Sequence, residues 1–157
     1  MKYATICLLV EGNPTQKILL GLKKKGFGEG KIVGIGGKIE PGENVEQAVI
    51  RELREETSIT ASPGLLKKAG TLTFLFPAKP TLDHYVHVYL LYSWKGFPQE
   101  SSEIEPFWFN AHKIPYDRMW PDGRHWIPRV LKGEGVDYIY TYNDDNQSLL
   151  KIESNNM

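Results

Sequence analysis

Glu52, Glu55 and Glu56 stand at positions i, i+3 and i+4 of a segment that reads as a helix. At about 100° per residue the three fall within an arc of about 100° on one edge, one helical turn high. Like charges at these spacings repel. A sequence chosen for helix stability alone would place lysine between them. Clustered carboxylates on one rigid edge instead suit a hard divalent cation, which takes a few protein oxygens and completes its octahedral shell with water and substrate phosphate. The stretch from Gly37 to Ile59 adds Glu40, Glu43 and Glu46 against only Lys38, Arg51 and Arg54. Gly36 and Gly37 lie just upstream, where a residue without Cβ lets a backbone carbonyl approach a metal. Most charge runs are solvated faces; the shared sign and single edge favour the cation site here.

The spacing resembles the Nudix box, G-x5-E-x7-R-E-U-x-E-E-x-G-U with U apolar. Gly37, Glu43, Arg51, Glu52, Leu53, Glu55, Glu56 and Ile59 fill its positions. Matching them by chance in a chain this long is roughly a one-in-a-million event at typical residue frequencies. The one departure is Ser58 where the pattern has glycine. It falls at the helix end, so it bears on terminal backbone conformation and not on the carboxylates. The resemblance implies a pyrophosphohydrolase acting on a nucleoside diphosphate linked to another group. It implies Mg2+, with Mn2+ as an alternative, held by Glu52, Glu55, Glu56, the carbonyl near Gly36 and the distant Glu103. Glu43 and Arg51 would hold those ligands in place. The implied catalytic set is Glu52, Glu56, Glu103 and Arg51, with Glu56 or Glu103 orienting or deprotonating the attacking water.

Resemblance to the MutT-homologue branch, the oxidised purine nucleoside triphosphatases, extends over roughly residues 3–145. It rests on LLGLKKKGFGEGKIVGIGGK, Phe74 and Phe76, the YVHVY run, ESSEIEPFWF and IPYDRMWPDGRHWIP. It implies a purine held among Phe27, Phe74, Phe76, Trp120 and Tyr142, with Lys23, Val33, Gly37, Lys38 and Asp122 as further substrate contacts. Stacking on aromatic faces suits any base. The substrate expected is a purine nucleoside triphosphate, cut to monophosphate and pyrophosphate. Two positions depart from the branch: Val33 replaces an asparagine that hydrogen-bonds the purine, and Gly123 replaces the second of two aspartates. Both remove polar base contacts, so an altered or relaxed base preference is expected. The alternatives are a Nudix hydrolase of a dinucleotide or nucleotide sugar, and a catalytically silent nucleotide-binding module.

The elements that must position these residues are legible in outline. Residues 3–10 and Lys17 to Leu22 read as strands joined by a turn over Glu11 to Gln16, followed by a short apolar run at Ile32 to Ile35. Asn44 and Gln47 form a capping-box pair ahead of an apolar 3.6-residue period through Glu56. Ala69 to Phe76, Tyr85 to Trp94, Phe107 to Phe109 and Tyr138 to Tyr142 read as strands, and Trp120 to Leu131 as a second helix. The fold class is α/β (α+β): one domain over residues 1–157, a Nudix α/β/α sandwich. Its mixed curved sheet lies between a helix at about 44–57 and one near 121–131.

Lysine plus arginine and aspartate plus glutamate both number 19, so the formal net charge is zero. That disfavours a broad basic face gripping nucleic acid but leaves room for a small anion met by a metal. No stretch approaches the roughly 20 apolar residues of a membrane span. The lone Cys7 forms no intrachain disulfide and suits a reducing compartment. The expectation is a cytoplasmic monomer that binds neither nucleic acid nor membrane.

Overall fold

Cys7 and Leu9 are buried on one face of the first strand, and Leu8 and Val10 on the other. A strand apolar on both faces must sit inside a sheet covered on both sides. The structure, a computed structural model that describes residues 1–155, shows this arrangement. The last two residues of the expected domain lie outside the described residues.

The strands are β1 (Lys2–Glu11), β2 (Lys17–Lys23), β3 (Ile32–Val33), β4 (Lys67–Leu75), β5 (His84–Leu91), β6 (Ile104–Asn110), β7 (Val136–Tyr142) and β8 (Leu149–Ser154). The order β3-β2-β1-β5-β4-β7-β8, with β6 on the far edge of β2, makes one curved, unclosed mixed sheet. The pairs β1–β5 and β4–β7 are parallel; the rest are antiparallel. One edge of β2 meets β1 only from Lys17 to Leu19, then turns to β3 at Gly21 and Leu22. The chain after β3 fills the split, bridging Ile35 to Cys7 and Lys38 to Ala4. This brings the glycine segment onto the middle of the sheet.

Helix α1 (Val45–Thr57) packs Val49 and Leu53 with Cys7, Leu9 and Leu19. Helix α2 (Gly123–Leu131) packs Trp126, Ile127 and Val130 with Leu8, Val10 and Ile18. The helices therefore cover opposite faces, as expected, and the mixed α+β class holds. Helix α2 begins three residues later than the sequence suggests. Trp120–Pro121–Asp122 is a turn, closed by Gly123 N–H donating to the Trp120 carbonyl, and its side chains serve the cleft described below. Strand β8 was not expected. It lies at the sheet edge with nearly every residue exposed, so it carries no apolar alternation to detect.

Candidate active site

The start of α1 is fixed by a complete capping box. Asn44 Oδ1 accepts from Gln47 N–H, and Gln47 Oε1 accepts from Asn44 N–H, both at 2.8 Å. Its end is fixed by Ser58 in the left-handed region at φ 67°, whose N–H donates to the Arg54 carbonyl. Between them Ala48, Val49 and Leu53 face the core. The carboxylate edge is thereby turned towards residues 36–38.

Those glycines are sterically required. A Cβ on Gly37 would lie 2.6 Å from the Glu52 carboxyl group, and one on Gly36 would lie 1.9 Å from the Thr5 carbonyl oxygen. The Gly36 N–H donates to Glu56 Oε1 at 3.1 Å. The β1 ladder uses the carbonyls of Ile35 and Gly37, which leaves that of Gly36 outside it.

Arg51 organises the acidic edge. Its Nε and Nη2 form a fork onto Glu43 at 2.9 and 2.7 Å. Its Nη1 donates to Glu52 at 2.9 Å and Glu55 at 3.2 Å, and Nη2 also reaches the Lys38 carbonyl. The hydrogen bonds from Arg51 hold the Glu43 carboxyl down to about 2. Glu52 and Glu56 face the opposite situation. Burial raises both, and the negative charge of Glu52 adds to the effect on Glu56. They hydrogen-bond each other, so a proton shared between them relieves the charge. Hard oxygen donors carrying more buried negative charge than their neighbours neutralise fit a divalent cation, which would replace that proton.

The ladder is not uniform. Glu52 and Glu56 turn inward, whereas the Glu55 side chain is 55% exposed and leans on Arg51. Glu103, on the loop before β6, lines the same cleft and its charge raises Glu56. Among the described residues, no three acidic, histidine or cysteine side chains are already gathered closely enough to hold a metal.

A cleft of about 690 Å³ runs from this edge to an aromatic chamber. Every expected site residue lines it except Glu43, which acts behind Arg51. Phe27 lies 4.9 Å from Trp120 and edge-on to Phe76 at 5.6 Å. Phe76 stacks on Tyr142 at 4.9 Å and 14°. Phe74, Phe76 and Tyr142 are almost wholly buried, so these residues serve both core and chamber wall. Asp122, also buried, accepts from Tyr142 Oη at 2.5 Å and from Trp126 Nε1 at 2.8 Å. Burial raises its pKa despite these donors. Lys23 and Lys38 stand on the walls as expected, and Val33 offers the cleft no polar group.

The sequence reading missed Lys2, Lys25, Met119 and His84, which also line the cleft. Lys31, also missed, holds its Nζ 4.6 Å over the Trp120 ring. Lys25 and Lys31 flank the GFGEG stretch, and that neighbourhood was a usable signal. The roles of Lys2 and His84 depend on strand register, which no local pattern encodes.

Residues 1–130 match the NUDIX domain. The chain is 41% identical over 131 residues to an oxidized purine nucleoside triphosphate hydrolase of Danio rerio, covering 83% of this chain and 80% of that one. The Mus musculus protein of that name is 40% identical over 134 residues, covering 85% and 84%. A crystal structure of a MutT protein from Bacillus halodurans superposes with a TM-score of 0.82 at 23% identity, covering 100% of this chain and 99% of that one.

Proposed function

The chain belongs to the Nudix family, whose hydrolases act on nucleotide substrates and generally use divalent metals; on that premise we propose that it converts purine nucleoside triphosphates, oxidised or otherwise modified, to monophosphate and pyrophosphate. This is a nucleotide-pool sanitation activity. The observation that carries it is the single cleft joining the α1 carboxylates to the aromatic chamber. Relatives bearing the oxidized purine nucleoside triphosphate hydrolase name match over four-fifths of their length or more.

In this reading Glu52, Glu56 and Glu103 hold Mg2+ (or Mn2+), with Glu55 and the Gly36 carbonyl beside them. The metal, when bound, neutralises the polyphosphate and lowers the pKa of water. Arg51 keeps Glu52 aimed at the cleft and is itself anchored by Glu43. Lys23 and Lys38 face the phosphate charge. Phe27 and Trp120 form one wall around the base and Phe76 and Tyr142 the other, with Asp122 at its edge. Glu56 or Glu103 orients the attacking water, and comparing Glu56→Gln with Glu103→Gln tells which. Residues 1–157 act as one domain, since β7 lies beyond the family match yet supplies Tyr142 to the chamber. Zero net charge suits an enzyme of free nucleotides, not of nucleic acid, and a single buried cysteine suits a reducing, cytoplasmic setting; the chain is proposed to act as a monomer.

The test is a Mg2+-dependent screen of oxidised, methylated and unmodified purine nucleoside triphosphates beside a dinucleotide and a nucleotide sugar, read by release of the nucleoside monophosphate and, for the triphosphates, of pyrophosphate. Turnover of several of them, with no overwhelming preference for 8-oxo-dGTP, is expected because Val33 and Gly123 lack polar side chains. Turnover confined to a dinucleotide or nucleotide sugar would overturn the substrate class. No turnover of any of these compounds would leave a silent binding module.

A further inference from the structure

His84 opens β5 beside Phe74 of β4 and lines the cleft. Its ring stacks on Phe74 at 4.7 Å and 19°, and is nearly parallel to Phe76 at 6.1 Å and 12°. Its Nδ1 lies 2.8 Å from the Leu82 carbonyl oxygen. A carbonyl only accepts, so Nδ1 carries a proton. Burial depresses the imidazole's pKa, and Lys2 acts in the same direction; the Leu82 carbonyl, Asp83 and Asp122 act against it. The neutral ring therefore leaves Nε2 as a bare acceptor, on the side of the ring away from Leu82.

Among the described residues Nε2 meets no hydrogen-bond donor. It is also not a sealed atom, because among the described residues the buried, unpartnered side-chain atoms are His87 Nδ1, Thr141 Oγ1 and Asn146 Oδ1. An unpaired acceptor that keeps solvent contact, on a cleft-lining ring stacked into the aromatic wall and within electrostatic reach of Asp122, can take a donor from whatever displaces water from the chamber. Lys2 pairs in register with His84 on the neighbouring strand, but no hydrogen bond joins them. Val33 contributes no polar contact. We propose that His84 Nε2 accepts a hydrogen bond from a purine amino group and so selects amino-bearing purines. This inference rests on the purine nucleoside triphosphatase reading. A base lacking the amino group would leave the acceptor desolvated and unpaired.

The test compares kcat/KM for two matched pairs, dATP against 2′-deoxypurine-riboside triphosphate and dGTP against dITP, in the wild-type protein, His84→Met and His84→Gln. The wild type should favour the amino-bearing member of at least one pair. His84→Met, which keeps apolar bulk but no comparable acceptor, should cut that ratio about five- to tenfold, the size of one hydrogen bond. The amino-less partner should lose no rate in the same variant and should gain where the unpaired acceptor had penalised it. His84→Gln, whose amide oxygen accepts, should retain most of the ratio. The inference is overturned if the wild type discriminates in neither pair, or if His84→Met slows both members alike, which would make the ring a packing element. Absence of turnover for all four nucleotides, and for 8-oxo-dGTP assayed beside them, would instead bring down the functional reading beneath it.

Discussion

Arg51 grips the Glu43 carboxylate with two parallel hydrogen bonds, at 2.7 and 2.9 Å, while its third nitrogen reaches Glu52 at 2.9 Å. The guanidinium thus ties the loop ahead of α1 to the inner edge of the helix. A planar fork can do this and a point charge cannot. Glu40 extends the same knot, donating its N–H to Glu43 at 2.8 Å and lying 3.7 Å from Arg51. The one strongly cationic group on the acidic edge is therefore committed to aiming ligands, which leaves Glu56 with little to balance it.

Arg51→Lys is expected to keep the charge and lose the fork. Activity should fall about 10- to 100-fold, the usual effect of removing a residue that orients a ligand, and the metal concentration for half-maximal rate should rise. A metal titration of the rate checks both. A variant within about twofold of wild type in both respects would detach Arg51 from ligand positioning.

Glu56→Gln is expected to lower the rate by about a thousandfold without unfolding the protein. The sign of its stability effect follows from linkage. The folded-state pKa of Glu56 lies well above its unfolded value of about 4.3. Its favourable contribution is complete below that value and is lost as pH rises towards the raised one. With chelator present, wild-type stability should therefore decline as pH climbs from about 5 through neutral, and Glu56→Gln should flatten the decline. Mg2+ should restore the wild-type melting temperature at pH 8 more than that of the variant. Parallel pH profiles in chelator would contradict this.

Ser58→Gly is expected to stabilise. Ser58 ends α1 at φ 67°, a conformation that costs a residue with a Cβ roughly 1–2 kcal/mol and costs glycine little. Glycine's larger unfolded-state entropy offsets part of this, so the net gain should be about 0.5–1 kcal/mol, or a melting temperature about 1–4 °C higher. Turnover should be unchanged because the side chain is exposed and outside the cleft. A lower melting temperature would show that the hydroxyl has a native role.

What the sequence disclosed and what it withheld divide by range. The carboxylate edge, the Asn44–Gln47 cap and the helix end at Ser58 are local, set by spacings of three to seven residues. The unbroken apolar run through Cys7 to Val10 read as a buried strand. The split of β2 between β1 and β3 was hidden because it depends on how three distant segments compete for one edge. Asp122 shows the same effect. Its carboxylate is drawn to Trp126 and to Tyr142, 20 residues away, instead of capping α2 by its side chain. That tertiary demand moved the helix start away from Trp120. His84 escaped notice because its place beside Phe74 is a matter of strand register.

The two departures at the base pocket carry the last prediction. Val33 lines the cleft where a polar residue would reach a bound base, and Gly123 opens α2 next to Asp122. The nearest neighbours of a Cβ on Gly123 would be Met119 and Ile127 side-chain atoms at 3.5–3.7 Å, ordinary contact distances. Val33 is only half buried, and asparagine is close to it in volume. Val33→Asn combined with Gly123→Asp returns two hydrogen-bonding groups to the pocket, each worth about 1 kcal/mol when paired. The double variant should raise the kcat/KM ratio of 8-oxo-dGTP to dGTP by about tenfold or more over the wild type. Each single variant should supply part of that gain. The ratio is the right readout, because a change in metal or phosphate handling moves both nucleotides together and cancels. A double variant with the wild-type ratio would show that base selection lies elsewhere in the chamber, with Asp122 and His84 among the polar groups on its wall.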